Sequence, residues 1–241
     1  GTRRNYSLFV TTSQDIHLPN GDIYIKKHMD GVIFAGEVDI RVIEEFRKQS
    51  IPVVLVNNYL DMDGLVCISA DHYGGAVQAT EYLCKLGHCK IGLLSGRFSP
   101  QVSEARIEGF VKTLAKYDIP VDDRFIADIE PALEDGEEIM TRMLREVDRP
   151  TAFFCTNDTI AAGAMKAVTR AGLRVPEDIA IIGFDDSYIS RVVEPELTTV
   201  RIDAAKMGCL AMQTLFDLIA GMPVEKAHIQ IPTELIVRGT A

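Results

Sequence analysis

The chain has 241 residues, a formal net charge of −10 and a pI near 5.0. Hydrophobic residues make up 47% and charged residues 25%, enough apolar material for one large domain or two modest ones. The acidic balance excludes a domain that grips nucleic acid through a basic face, and the short Arg3–Arg4 pair does not alter that.

No apolar run approaches the ~18 residues of a membrane span, and no charged-then-apolar leader opens the chain, so no membrane association is expected. Cys67, Cys84, Cys89, Cys155 and Cys209 are odd in number and form no C-x-x-C pair. They point to a reducing, cytoplasmic setting, without disulfides or a zinc site.

In chain order, short continuous apolar runs predict strands at 6–12 (YSLFVTT), 31–36 (GVIFAG), 52–57 (PVVLVN), 90–96 (KIGLLSG), 151–156 (TAFFCT) and 179–184 (IAIIGF). Such runs suit strands buried on both faces of a parallel sheet. Between them lie helical patterns. The segment after Asp71 sets Ala76, Ala79, Thr80 and Leu83 on one stripe; Asp71 is its N-cap and Gly87 its stop. EARIEGFVKTLAKYD (104–118), GEEIMTRMLREV (136–147) and TIAAGAMKAVTRAG (159–172) follow the same pattern, the last ending at Gly172 with Pro176 beyond.

Strands alternating with helices of this length predict a doubly wound α/β fold. No long linker or repeat divides the chain, so two domains would be joined by several strands rather than one tether. Ligands of such sheets bind beyond the carboxyl ends of the strands. Polar residues there are Ser95, Asp128, Glu130, Asn157, Asp185 and Asp186.

Enzymatic signatures do not assemble. There is no G-x-G-x-x-G after a strand, no P-loop, no H-E-x-x-H and no G-x-S-x-G. His88 follows a helix, where a structural role suits it. The adjacent Asp185 and Asp186 are unlike paired catalytic carboxylates, which approach from different segments. Neither catalysis, a metal nor a cofactor is expected. Asn157 and Asp158 either cap the helix that follows or face a ligand, and Arg106 either lies on a solvated helix face or reaches a ligand.

Several stretches together resemble the effector-binding core of the lactose-repressor/galactose-repressor (LacI/GalR) family of bacterial transcription regulators. They are MDGVIFAG (29–36), IPVVLVNN (51–58), ISADHYGGAVQATEYLCKLGHCKIGLLSG (68–96), EARIEGF (104–110), PTAFFCTNDTIAAGAMKAV (150–168), RVPEDIAIIGFDDS (174–187), EPELTTVRID (194–203) and IPTELIVRGT (231–240). Their order and spacing cover nearly the whole chain.

The resemblance implies a type I periplasmic-binding-protein-like architecture: two doubly wound lobes, three crossing segments and a ligand in the cleft. It implies one lobe of 1–96 plus 204–221 and a second of 97–203 plus 222–241, with crossings near 96–99, 185–191 and 199–203. Position by position, it carries ligand contact to Arg106, Asn157 and Asp185. A carboxylate accepts from vicinal hydroxyls, a guanidinium fork donates to oxygens and an amide does both, which suits a sugar or related hydroxyl-rich metabolite. Ile129, Glu130 and Tyr73 are secondary candidates; Ile129 stands where the family often has an aromatic, and Ile202 where it often has a polar side chain.

The family's helix-turn-helix headpiece, hinge, first strand and first helix have no counterpart in the sequence. The expected molecule is a cytoplasmic, homodimeric, small-molecule-sensing core. Operator DNA would be contacted only through the missing headpiece. The rival reading is a periplasmic or lipoprotein sugar-binding protein of a transporter.

Overall fold

A computed structural model describes residues 6–10, 29–58, 60, 62, 64–223 and 227–241. It contains two compact units. The first comprises 1–68 and 208–229, the second 69–207 and 230–241. The fold is α/β, with sheets that are mainly parallel.

The first unit is built on a four-stranded sheet of order β1-β2-β3-β9, from β1 (Val32–Ala35), β2 (Val53–Val56), β3 (Val66–Ala70) and β9 (His228–Ile231). Helix α1 (Ile40–Lys48) is capped by Asp39, whose carboxylate accepts the Arg41 N–H. Its buried Val42, Ile43 and Phe46 pack with Phe34, Val53, Leu55 and Cys67. Residues 6–10 form no strand, although YSLFVTT (6–12) predicts one; Thr11 and Thr12 lie outside the described residues, as does Arg3–Arg4. The Tyr6 ring lies 4.9 Å from that of Phe216, while Leu8, Phe9 and Val10 are exposed. An apolar run becomes a strand only where a sheet edge accepts its hydrogen bonds, and these residues join neither sheet.

The second unit has a six-stranded sheet of order β10-β8-β7-β6-β4-β5. Its strands are β4 (Ile91–Gly96), β5 (Ile126–Ile129), β6 (Ala152–Cys155), β7 (Ala180–Asp185), β8 (Thr198–Arg201) and the antiparallel β10 (Glu234–Ile236). Alternation along β6 shows how it is covered. Phe153 and Cys155 join the core under α4 (Leu133–Met143) and α5 (Asp158–Arg170). Phe154 faces the core under α2 (His72–Lys85) and α3 (Pro100–Lys116). The helix pairs approach backbone to backbone. A Cβ on Gly163 would lie 2.1 Å from the Leu133 carbonyl oxygen, and one on Gly109 would lie 2.7 Å from that of Tyr73.

This packing corrects the expected division of the chain. The stretch 69–96 belongs with the second unit, and 208–229 with the first. Three switches between units do occur, but after Ile68, Met207 and Ile229 instead of near 96–99, 185–191 and 199–203. The cause is α2. Its Ala76, Ala79 and Leu83 are fully buried with Phe110 and Leu114 of α3, and a Cβ on Gly75 would strike the Phe184 ring at 2.7 Å. Strand β4 is likewise hydrogen-bonded between β5 and β6.

Candidate functional site

The carboxyl ends of β6 and β7 carry the site. Strand β6 runs out through Thr156 to Asn157, the N-cap of α5. The extended backbone of Asn157 lets its side-chain oxygen accept the N–H groups of Thr159 at 2.7 Å and Ile160 at 3.2 Å. Its amide nitrogen donates to Asp185 Oδ2 at 3.0 Å. Cap and site contact are therefore made by opposite ends of one amide, and the two sequence readings of Asn157 coexist.

Arg106 approaches from α3. Its Nη2 donates to Asp185 Oδ1 at 3.3 Å, its Nη1 to the Thr156 carbonyl, and its Nε to His72 Nδ1 at 3.4 Å. Its guanidinium carbon lies 3.9 Å from the centroid of the Phe184 ring and 4.9 Å from that of Phe98, within cation–π range. Arg106 is 3% exposed, so it is a buried cation rather than a solvated helix residue. Burial and the adjacent Arg106 charge push the His72 imidazole down to about 3, so it stays neutral and Nδ1 accepts from Arg106. For Asp185, burial pushes the carboxyl up, opposed by Arg106 and the Asn157 amide.

Asp185 closes β7 in a constrained backbone. Asp185 (φ 107°) and Asp186 (φ 51°) are consecutive non-glycine residues at positive φ. Such conformations cost roughly 1–3 kcal/mol each and persist only where surrounding contacts enforce them. Enforcement is visible at each residue. Asp185 is held as described. Asp186, with its side chain 2% exposed, accepts from Arg238, from Arg201 Nε at 2.8 Å and from Ser190 Oγ at 3.1 Å. The Ser187 N–H donates to Asp158 Oδ2 at 2.6 Å. Burial opposes ionisation of Asp186, but the Arg238 and Arg201 hydrogen bonds outweigh it and hold the carboxyl at about 2. Asp158 is not the cap; it is fully buried at the first turn of α5, also accepting the Thr199 hydroxyl. Burial raises it to about 6 against those two hydrogen bonds.

The three principal sequence candidates, Arg106, Asn157 and Asp185, thus converge. The secondary ones do not join them. Ile129 is half-buried against the α4/α5 core. Glu130 is exposed and pairs with Arg97, which also holds Asp128. The Tyr73 ring lies beneath Lys112 of α3. Asp71 caps α2 through the Gly74 N–H at 2.8 Å, as its position implied. Sequence reasoning missed His72, Phe98 and Phe184. At the opposite end of the sheet a groove is lined by residues that include Cys89, Lys90, Asp122, Asp123, Arg124 and Asp148, and both its cations are paired, Lys90 with Asp148 and Arg124 with Asp122. Among the described residues no group of three or more His, Cys, Asp or Glu could hold a metal ion, and no helix is long and apolar enough to cross a membrane.

Residues 80–241 match the family model described as a periplasmic binding protein-like domain. The chain is 34% identical over 236 residues to the probable HTH-type transcriptional repressor ExuR of Bacillus subtilis (strain 168), covering 97% of this chain and 70% of the relative. The chain belongs to the LacI/GalR family of transcriptional regulators. Solved structures agree. The transcriptional regulator CelR–cellobiose complex superposes with a TM-score of 0.82 at 26% identity, covering 90% of this chain and 68% of that one. A LacI-family transcriptional regulator from Enterococcus faecium with bound ribose gives a TM-score of 0.80 at 27% identity, covering 88% and 79%. The two-lobe type I fold and the effector-sensing regulatory core follow from this membership, and the transporter-linked binding protein gives way.

Proposed function

We propose that this LacI-family core senses a small hydroxyl-rich metabolite, of the sugar class, at the carboxyl ends of β6 and β7. The single observation that supports this is Asp185. Its carboxylate is oriented at one oxygen by Arg106 and at the other by Asn157, yet its side chain remains 30% exposed. An ionised carboxylate offers about four acceptor positions, so two remain for ligand hydroxyls. Arg106, bonded to Asp185, Thr156 and His72, aims the Asp185 carboxylate in addition to the ligand contact that the family resemblance implies for it. The cellobiose and ribose of the two solved relatives belong to the same chemical class. The core acts without catalysis, in the cytoplasm, as a homodimer. Its charge of −10 leaves operator DNA to a helix-turn-helix headpiece.

A thermal-shift screen against D-ribose, cellobiose, sugar phosphates, polyols and nucleobases tests the reading. A sugar at a hundred times its Kd stabilises by about 2.7 kcal/mol, a rise of roughly 5–11 °C. In calorimetry with the sugar found, Asp185→Ala weakens binding from about ten-fold to over a hundred-fold, because the hydroxyls lose a charged acceptor. A shift from nucleobases alone overturns the sugar class. A folded Asp185→Ala protein that binds like the parent overturns the site.

A further inference from the structure

The ligand-facing acid is only half of the Asp185–Asp186 pair; Asp186 points the other way, into charges contributed by the end of the chain. Arg238 lies just beyond β10, and its guanidinium reaches Asp186, the Ser190 hydroxyl and the Leu197 carbonyl. Arg201 closes β8, beside Asp185 in the β7–β8 register, and reaches Asp186 as well as Glu234. Arg191 adds a longer contact to Asp186 at 3.4 Å. The tail is pinned in turn. The Thr240 hydroxyl donates to the Ile181 carbonyl and accepts the Thr198 N–H at 2.9 Å, joining β7 and β8 from the far side.

We infer that Asp186, clamped by Arg201 and Arg238, is the positioning residue that holds the Asp185 carboxylate against Arg106 and Asn157. The reason is geometric. Two consecutive residues at positive φ relax unless both are restrained, and relaxation at Asp186 rotates the peptide that carries Asp185. The peptide before Asp186 is held loosely, its N–H reaching the Thr199 hydroxyl at 3.4 Å and its carbonyl the Ile202 N–H at 3.5 Å, and the peptide after it is held by the Ser187 N–H on Asp158, so the side-chain clamp adds the restraint on the Asp185 side. The proposal deepens the ligand-site reading, since a positioned Asp185 matters because it is the acceptor. Its test is independent of any ligand.

The Arg106 Nε–H signal in nitrogen–proton spectra of the ligand-free protein reports the geometry, because the same rigid guanidinium donates to His72 through Nε and to Asp185 through Nη2. Asp186→Asn keeps a side chain tolerant of positive φ and removes the charge. Arg201→Gln removes one clamp from a side chain that is 40% exposed and therefore spares folding. Asp178→Asn is the control, breaking an ion pair with Arg174 at the opposite end of β7. In the first two variants the Arg106 Nε–H signal shifts and its exchange with solvent speeds up on the order of ten-fold as the site opens locally; in the third it does not. If Asp186→Asn fails to fold, Arg201→Gln decides. Folded variants whose Arg106 signal matches the parent overturn the proposal, and so does an equal effect from Asp178→Asn. Failure of every sugar to bind sinks the preceding reading and leaves this one standing.

Discussion

Asp158 supplies the sharpest test of how this second unit is held together. Its carboxyl is fully buried at the start of α5, with Thr199 and Ser187 as donors and the Asp185 carboxylate nearby. Burial raises it from an ordinary 3.8 to about 6. A carboxyl raised in the folded state stabilises the fold fully below its unfolded value and loses that contribution as pH rises through the folded one. The window is therefore pH 4 to 6, and the gap corresponds to about 3 kcal/mol. The amino end of α5 favours the anion by up to about 1 kcal/mol, which leaves about 2–3 kcal/mol.

Asp186 acts in the opposite direction but outside that window: held at about 2, its contribution is present above pH 4 and lost as pH falls toward 2. Buried His72, held at about 3 against an ordinary 6.5, adds a slope of opposite sign, because only the unfolded chain takes up its proton there. Urea unfolding at half-unit steps from pH 4 to 7 therefore compares the parent with Asp158→Asn, whose amide can still accept from Ser187 and donate to Thr199. The stability of the parent relative to the variant should fall by about 2–3 kcal/mol across the window, with the contributions of His72 and Asp185 common to both. A difference that stays flat or rises from pH 4 to 6 would show that the hydrogen bonds and the helix terminus keep Asp158 ionised throughout.

Two further substitutions probe packing and the cap. Asn157→Asp retains the capping oxygen but sets a second carboxylate about 3 Å from Asp185, so the pair should share a proton; melting at pH 7 should drop relative to pH 5, whereas Asn157→Ser, a good cap without the long amide, should melt within about 1 kcal/mol of the parent at both. Gly163→Ala gains helix propensity yet drives a methyl into the Leu133 carbonyl, so a net loss of about 1–3 kcal/mol in urea unfolding is expected, and a more stable variant would show that α4 and α5 can separate at no cost.

In the second unit β4, β6, β7 and helices α2 to α5 were legible because each carries its own period, whereas β5 (IADI), β8 (TTVR) and β10 (ELI) are too short or too polar to form a continuous apolar run. FFC in β6 is continuous because both faces are covered, and α5 begins where an amide cap meets a small-residue stripe. Membership of a sheet was not legible, since the segment from Asp71 to Gly96 reads as helix then strand whichever unit receives it. The deciding information lay in the glycines. Gly75 and Gly109 mark where α2 meets Phe184 and α3 at backbone distance, and only a partner in the same unit requires that. The site followed the same division. Arg106, Asn157 and Asp185 could be placed through the family resemblance, the last two at strand ends and Arg106 on α3. His72, Phe98 and Phe184 escaped because a helix-start histidine and two phenylalanines look like core in any sequence. They become part of the site only through Arg106. A guanidinium that is 3% exposed must find neutral acceptors and ring faces as well as a counter-ion, because one carboxylate cannot satisfy five N–H donors. Burial of that one cation therefore ties a histidine, a strand-end carbonyl and two rings to Asp185, the proposed ligand acceptor, while the second acid beside it turns toward Arg201 and Arg238.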